Sequence, residues 1–196
     1  MELFIGTTNP SKLDHYRKFL AGSGIKILTP TDLHISEQPE ETGETVEENA
    51  ALKARFYFKR THIPTLADDA GFEIPALGNW PGTHAHRING HAASDQEIID
   101  TIIGRMGDLK GGGRKARMHV VLALALSQHD IKTAGGEISG MVPEMPYDKL
   151  MPHFPYRSLL FITSLNKWFY DLTEDEESRI GYRRAALENI KRFLSS

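Results

Sequence analysis

LFIGTTNPSKLDHYRKFL, residues 3–20, predicts a buried strand that runs through a polar loop into a helix. Asn9 is a favourable N-cap, and Pro10 suits the first position of a helix. Apolar residues then recur at the spacing of one helix face. The start of such a helix can bind an anion, because unpaired backbone N–H groups and the positive end of the helix dipole lie there. The same residues also fit a capped helix without a ligand, and spacing alone favours that simpler interpretation.

The rest of the chain predicts strands that alternate with helices and are followed by a hairpin. The expected elements are a strand at 25–28, a helix from 45 to about 60, a strand leading into Asp68 and Asp69, a helix from 94 to about 106, a hairpin of 118–126 and 131–139, a strand at 158–162 and a final helix whose apolar side includes 187, 190 and 194. This order favours an α/β fold in which a mixed sheet is flanked by helices. Three consecutive glycines in GDLKGGGRK (107–115) predict a mobile surface loop.

Composition indicates an ordinary globular protein and argues against several other classes. The 196 residues are 40% hydrophobic and 25% charged, which suits one domain or one domain with two lobes. The net charge of −3 argues against a bulk nucleic-acid binder, and the absence of cysteine excludes disulfides and a thiolate nucleophile. The longest apolar run, 120–126, is far shorter than the roughly 20 residues of a membrane-spanning helix. With no signal-peptide pattern at the N-terminus, we expect a cytoplasmic protein.

Two acidic stretches are candidate sites for a divalent cation. EQPEETGETVEENA (37–50) is rich in glutamate, whose oxygens suit Mg²⁺ bound together with phosphates. Acidic residues at a helix start also favour the helix dipole without any ligand. Asp68 and Asp69 lie at the end of a predicted strand, where α/β sheets bind ligands, although Asp-Asp-x-Gly is also common in turns. Neighbouring strand residues point to opposite faces, so we expect different roles for the two aspartates.

Taken together, these segments resemble the inosine/xanthosine triphosphate pyrophosphatase family. The resemblance lies in TTNPSK (7–12), EETGETVEENAALKAR (40–55) and LADDAGFEIPALGNWPG (66–82), and more loosely in FPYRSLLFI (154–162) and ESRIGYRRAAL (177–187). It implies a long, twisted mixed α/β sheet with two lobes and a central cleft, one pyrophosphatase domain over residues 1–196, and a homodimer. It also implies Mg²⁺-dependent hydrolysis of deaminated purine nucleoside triphosphates, such as ITP, dITP and XTP, to the monophosphate and pyrophosphate.

The resemblance assigns roles to individual positions. Glu41 and Asp69 would hold the metal ion, and Asp69 would also act as the catalytic base. Asp68 would support the loop or a second metal ion, and Lys53 would lie near the phosphates. The candidate substrate-binding residues are Thr7, Thr8, Asn9, Lys12, Ala70, Phe154, Tyr156, Arg157, Tyr182 and Arg183. A further arginine of the family falls on Arg87.

Some positions depart from the family's motifs, and they cluster on the side expected to recognise the base. The departures are Ala70 for serine in D-D-S-G, Phe154-Pro155-Tyr156-Arg157 for F-G-Y-D, Glu177 for a lysine, and Gly181-Tyr182-Arg183 for S-H-R. An unmatched buried polar group costs about 1–3 kcal/mol, so we expect triphosphate chemistry to persist with an altered base preference. Arg157 and Glu177 could form a pair with exchanged charges.

Three alternatives remain open from the sequence alone. The altered base side is compatible with a nucleotide-binding protein that has little turnover. It is also compatible with a pyrophosphatase that prefers modified or pyrimidine triphosphates. Finally, His84 and His86, with His91 nearby, could bind a metal ion, although such a histidine pair is more often ordinary surface sequence.

Overall fold

Strands and helices alternate through the first part of the chain, as the sequence predicts. A computed structural model describes residues 1–85, 88, 90, 93–180 and 182–194, except for the side chains of Glu174 and Ser178. The helices are α1 (Pro10–Leu20), α2 (Val46–Thr61), α3 (Asp95–Met106), α4 (Glu174–Ile180) and α5 (Tyr182–Lys191). The strands are β1 (Glu2–Ile5), β2 (Lys26–Leu28), β3 (Thr65–Ile74), β4 (Trp80–Gly82), β5 (Lys115–Ala125), β6 (Ile131–Met141), β7 (Phe161–Ile162) and β8 (Lys167–Trp168).

The strands form one eight-stranded mixed sheet over the described residues. Its order is β2-β1-β3-β5-β6-β7-β8, and β4 pairs with β3 beside this path. β1 runs parallel to both β2 and β3, whereas the β3–β4, β6–β7 and β7–β8 pairs are antiparallel. The prediction of an α/β fold with a mixed sheet flanked by helices is therefore confirmed.

The first of two compact units comprises Met1–Asp69, Val120–Gly136 and the described residues from Arg183 onward. Side chains alternate along β5, so its two faces enter different apolar clusters. Leu122 and Leu124 pack in the cluster that contains Tyr16 of α1 and Leu187 of α5, and the intervening Ala123 joins the small side chains of α2. Helices thus cover both faces of the sheet in this unit.

The second unit comprises Ala70–His119 and Glu137–Tyr182. Its core contains Phe72 and Ile74 of β3, together with the apolar face of α3 around Ile98 and Ile102. Leu160, which precedes β7, is also fully buried in this core.

The predicted helix starts are confirmed by their capping contacts. The Asn9 side chain accepts hydrogen bonds from two backbone N–H groups of α1, and Ser94 accepts one from Glu97 at the start of α3. Thr45 and Glu48 complete a capping box at the start of α2. Caps depend on residues only a few positions apart, which is why sequence alone identifies them. No helix in the described ranges is long and apolar enough to cross a membrane.

The loop predicted at 107–115 is replaced by regular structure over its second half, although Gly111 and Gly112 are exposed as predicted. Gly111–Arg114 forms a 3-10 turn, and β5 begins directly after it. Arg114 is buried, and its guanidinium donates hydrogen bonds to the carbonyl oxygens of Leu109, Val142 and Pro143. These contacts to distant backbone fix the segment, and the run of glycines gave no indication of them.

The strand predicted at 158–162 is also mostly replaced by other structure. Pro155–Ser158 forms a 3-10 turn, and only Phe161–Ile162 pairs as a strand. Proline suits the first position of a helical turn, and the backbone N–H groups of Leu159 and Leu160 donate to the carbonyl of Tyr156.

Candidate active site

A polar pocket lies in the first unit, beside the loop between β1 and α1. Its lining residues are Gly6, Thr7, Thr8, Asn9, Lys12, Gln38, Pro39, Glu41, Lys53, Tyr57 and Asp68. This set contains the predicted substrate-binding residues Thr7, Thr8, Asn9 and Lys12, and the predicted metal ligand Glu41. It also contains Lys53 and Asp68, which were predicted to be catalytic together with Asp69; Asp69 is not among the lining residues. Residues far apart in the sequence are therefore brought to one surface.

Packing against α2 fixes the shape of the loop at Gly6. A Cβ atom on this glycine would lie 2.7 Å from the ring of Tyr57, so any other residue would force the ring or the backbone to move. Tyr57 lines the pocket but was not among the predicted site residues. Its spacing from Lys53 was an available signal, because residues four apart share a helix face.

The anion site at the start of α1 differs from the prediction in one respect. The side-chain oxygen of Asn9 accepts hydrogen bonds from the backbone N–H groups of Ser11 and Lys12, at 3.0 and 3.3 Å. These two N–H groups are consequently used within the helix cap. An anion at this end of the pocket would depend more on the hydroxyl groups of Thr7 and Thr8 and on the ammonium of Lys12.

Glu41 is placed next to α2 by the glycine turn that follows it. The backbone N–H of Gly43 donates to Oδ1 of Asn49 in α2 at 2.8 Å. A Cβ on Gly43 would lie 2.7 Å from that same oxygen, so a larger residue would disturb the contact. The glycine of E-E-T-G thus allows the acidic segment to approach the helix that carries Lys53.

Lys53 joins the two predicted metal ligands. Its Nζ lies 2.7 Å from Oε1 of Glu41 and 2.7 Å from Oδ1 of Asp69. Burial disfavours the charged lysine, but the two carboxylates outweigh this effect and raise the pKa of Lys53. Burial also raises the pKa of Asp69, against the opposing influence of Lys53. Glu41 and Asp69 therefore converge on a single cation.

Asp68 lies in a different electrostatic environment from its neighbour. Its side chain is 1% exposed, and its Oδ2 contacts Lys12 at 2.9 Å and Arg183 at 2.6 Å. Although burial alone would raise the pKa of Asp68, these two cations hold it well below its usual value. Arg183 also donates to the hydroxyl of the buried Tyr16. The two aspartates therefore have different charged neighbours, and their different roles stay a prediction.

The donor set fits a divalent cation that is shared with phosphates. No group of three or more acidic, histidine or cysteine side chains converges as a metal site among the residues that the structure describes. Mg²⁺ bound with substrate phosphates requires only one or two carboxylates, which Glu41 and Asp69 supply. The second oxygen of Asp68 is buried without a hydrogen-bond partner, so it could accept from a bound water or substrate group.

The remaining substrate-binding candidates, apart from Arg183, belong to the second unit. Ala70 is a half-buried residue of β3, and Phe154 is half-buried ahead of the 3-10 turn. Tyr156 stacks on Phe72 with ring centroids 4.6 Å apart, and its hydroxyl donates to the carbonyl of Ala85. This ring is a core residue, and its predicted contact with substrate stays a prediction.

Arg157 and Glu177 are in contact, as the idea of an exchanged pair requires. Nη2 of Arg157 lies 2.5 Å from Oε1 of Glu177. The guanidinium also lies over the ring of Phe169, 4.5 Å from its centroid, and Tyr182 meets the same ring edge-on. Arg157 is therefore held in place by both charge and aromatic contacts.

Arg183 is positioned differently from the base-side residues. The structure places it in the first unit on Asp68, which associates it with the acidic site.

Arg87, His86 and His91 lie outside the described residues, so their predicted roles stay predictions.

Similarity to known proteins identifies the family of this chain. The model of the Ham1 family matches residues 3–193. The chain belongs to the Ham1 family. It is 36% identical over 190 residues to a dITP/XTP pyrophosphatase of Thermus thermophilus, covering 97% of this chain and 90% of the relative. The dITP/XTP pyrophosphatase of Bacillus subtilis is 30% identical over 195 residues, with 100% and 98% covered.

Solved structures of the family share the fold. A HAM1 protein from Coxiella burnetii superimposes with a TM-score of 0.90 at 30% identity, covering 100% of this chain and 98% of the other. The Ham1 protein of Staphylococcus aureus gives a TM-score of 0.88 at 26% identity, with the same coverage. The family predicted from the sequence is confirmed, and with it membership of a family of hydrolases.

Proposed function

We propose that this protein hydrolyses deaminated purine nucleoside triphosphates to the monophosphate and pyrophosphate, with Mg²⁺ as cofactor. The observation that carries the proposal is the convergence of Glu41 and Asp69 on Lys53, which lines the same pocket as Thr7 of the β1–α1 loop and Lys12 of α1. The curated relatives named dITP/XTP pyrophosphatase support the substrate class. A single catalytic domain over residues 1–196, a homodimer and a cytoplasmic location stay predictions.

The charged residues in and beside the pocket have separate roles in this reaction. Lys12 and Lys53 bind the triphosphate and stabilise the negative charge that develops on it in the transition state. Asp69 orients the attacking water and accepts its proton, as a positioned carboxylate can do in general base catalysis. Asp68 holds Lys12 and Arg183 in position. The water oxygen bonds to phosphorus, and pyrophosphate leaves the monophosphate.

Glu41 and Asp69 would hold Mg²⁺, which polarises the phosphoryl oxygens and neutralises their charge. Both carboxylates already lie within contact of a cationic group, so the residues present suit this cofactor.

The proposed function is tested by measuring pyrophosphate release from a panel of triphosphates that includes ITP, dITP, XTP, the common nucleotides and modified pyrimidine nucleotides. We expect the deaminated purines to give the highest kcat/KM. A maximum on modified or pyrimidine triphosphates would support a shifted base preference instead. Tight binding by calorimetry without any product would indicate a nucleotide-binding protein and contradict the proposal.

Removal of divalent cations is expected to abolish pyrophosphate release. The carboxylates of Glu41 and Asp69 cannot attract the phosphates without a bound cation. The measurement compares activity in EDTA, in EDTA saturated beforehand with Mg²⁺, and after Mg²⁺ is restored. Activity that persists in EDTA alone would contradict the predicted cofactor.

Base preference is expected to depend on Arg157. Arg157→Ala removes a guanidinium that Glu177 and Phe169 hold in place, so the ratio of kcat/KM values between two triphosphates should change roughly 10-fold. Lys167→Ala is the matched control, because it breaks another ion pair to α4, with Glu176. The assignment fails if Arg157→Ala leaves the ratio unchanged or if the control changes it equally.

A further inference from the structure

One ammonium group lies between the two carboxylates that are expected to hold a cation. The Nζ of Lys53 is at hydrogen-bond distance from both Glu41 and Asp69. The Lys53 side chain is only 14% exposed and that of Asp69 only 11%, so water screens this contact weakly, whereas Glu41 is 36% exposed and is screened more. Two positive ions repel each other strongly at the same oxygens. Lys53 contacts one oxygen of each carboxylate, and its charge therefore opposes the binding of a divalent cation to either group.

We propose that Lys53 is an internal counter-ion that keeps the divalent cation from binding Glu41 and Asp69 until a triphosphate is bound. The inference rests on the proposed function, because the triphosphate provides the second partner for Lys53. Phosphate oxygens in the pocket attract the ammonium away from the carboxylates, which then become available to the cation. Lys53 thereby couples the binding of the cation to the binding of the substrate.

The position of Lys53 allows this exchange of partners. The side chain extends from α2 on a flexible four-carbon stem and lines the same pocket as Thr7 and Lys12. A modest rotation of the stem moves a lysine ammonium by several ångströms, because this side chain has many rotamers. The exchange requires no change in the helix that carries Lys53.

The other lysine of the pocket has a different partner. Lys12 pairs with Asp68, which also binds Arg183. Its removal would take one positive charge from the same pocket but would leave Lys53 between Glu41 and Asp69. Lys12→Met is therefore a matched control for the general effect of lost charge.

The test is a titration of the nucleotide-free protein with Mn²⁺. The concentration of free Mn²⁺ is measured from its electron paramagnetic resonance signal, which gives the dissociation constant. We expect Lys53→Met to bind Mn²⁺ at least about 10-fold more tightly than the wild type, because the two carboxylates lose their competing cation. Lys53→Gln retains hydrogen-bond donors without the charge and should show the same direction of change. This second variant keeps the test valid should Lys53→Met fold poorly.

Two further variants identify the cause of any increase. Lys53→Arg keeps the charge and should bind Mn²⁺ as weakly as the wild type. In the double variant Lys53→Met/Asp69→Asn, the gain in affinity should largely disappear. Equal Mn²⁺ affinity in wild type and both uncharged Lys53 variants, or an equal gain in Lys12→Met, would overturn the proposal. Because no nucleotide is present, a failure of turnover in the substrate panel is a separate result that bears on the proposed function alone.

Discussion

Asp69→Asn is expected to lower kcat about 1,000-fold while KM changes little, since general base catalysis typically contributes 10²- to 10⁴-fold. The asparagine side chain has almost the same shape and still offers an oxygen to Lys53. In the wild type, Nζ of Lys53 lies 2.7 Å from Oδ1 of Asp69. It cannot accept the proton of the attacking water. The measurement is steady-state pyrophosphate release at saturating Mg²⁺ with the preferred triphosphate.

The control for this substitution is Asp130→Asn. Asp130 belongs to the same unit and also pairs with a lysine, Lys132, at 2.6 Å, but both side chains are well exposed. Its kcat should stay within about twofold of the wild type, as is usual for exposed ion pairs remote from a site. Wild-type turnover in Asp69→Asn would show that another group accepts the proton.

Local sequence signals were sufficient for most of the helices. The helices predicted to start near Asn9, Thr45 and Ser94 each have a cap whose partners are two or three residues away. The anchoring of Gly111–Arg114 was missed because Arg114 bonds carbonyl groups about 30 residues further along the chain. No short-range pattern reports contacts of that kind.

The contrast between short-range and long-range contacts also applies to the site. Sequence identified Glu41, Lys53 and Asp69 one at a time through a family resemblance, but their arrangement around one ammonium depends on three separate elements. The contact between Arg157 and Glu177 was raised as a possibility and required coordinates to establish. Arg183 was predicted to bind the substrate, which stays a prediction; its contact with Asp68 had no signal in the sequence.

The stability of the fold should depend much more on the charge of Asp68 than on the charge of Asp69. One ammonium, that of Lys53, faces two carboxylates, and burial raises the pKa of Asp69. Neutralising Asp69 is therefore expected to change the free energy of unfolding by less than about 1 kcal/mol. Asp68 is in the reverse situation, with one carboxylate facing two cations and a pKa held well below its usual value.

Asp68→Asn is accordingly expected to destabilise the fold by about 3 kcal/mol, the lower end of the range for removing one partner of a buried ion pair. The lower end applies because Lys12 keeps 23% of its side-chain exposure and can regain some hydration. Arg183, at 14%, is left as a poorly solvated charge. Urea unfolding in EDTA measures the effect without interference from a bound cation.

Asp14→Asn provides the comparison for Asp68→Asn, because Asp14 pairs with Lys18 on the exposed surface of α1. Its removal should cost less than about 0.5 kcal/mol, as is typical of exposed pairs four residues apart on a helix. Equal stability of Asp68→Asn and Asp69→Asn would show that the two cations do not depend on Asp68. A large loss of stability in Asp68→Asn alone would show that Asp68 supports the fold. Asp69→Asn should instead lose turnover while it keeps wild-type stability, as expected if Asp69 transfers the proton.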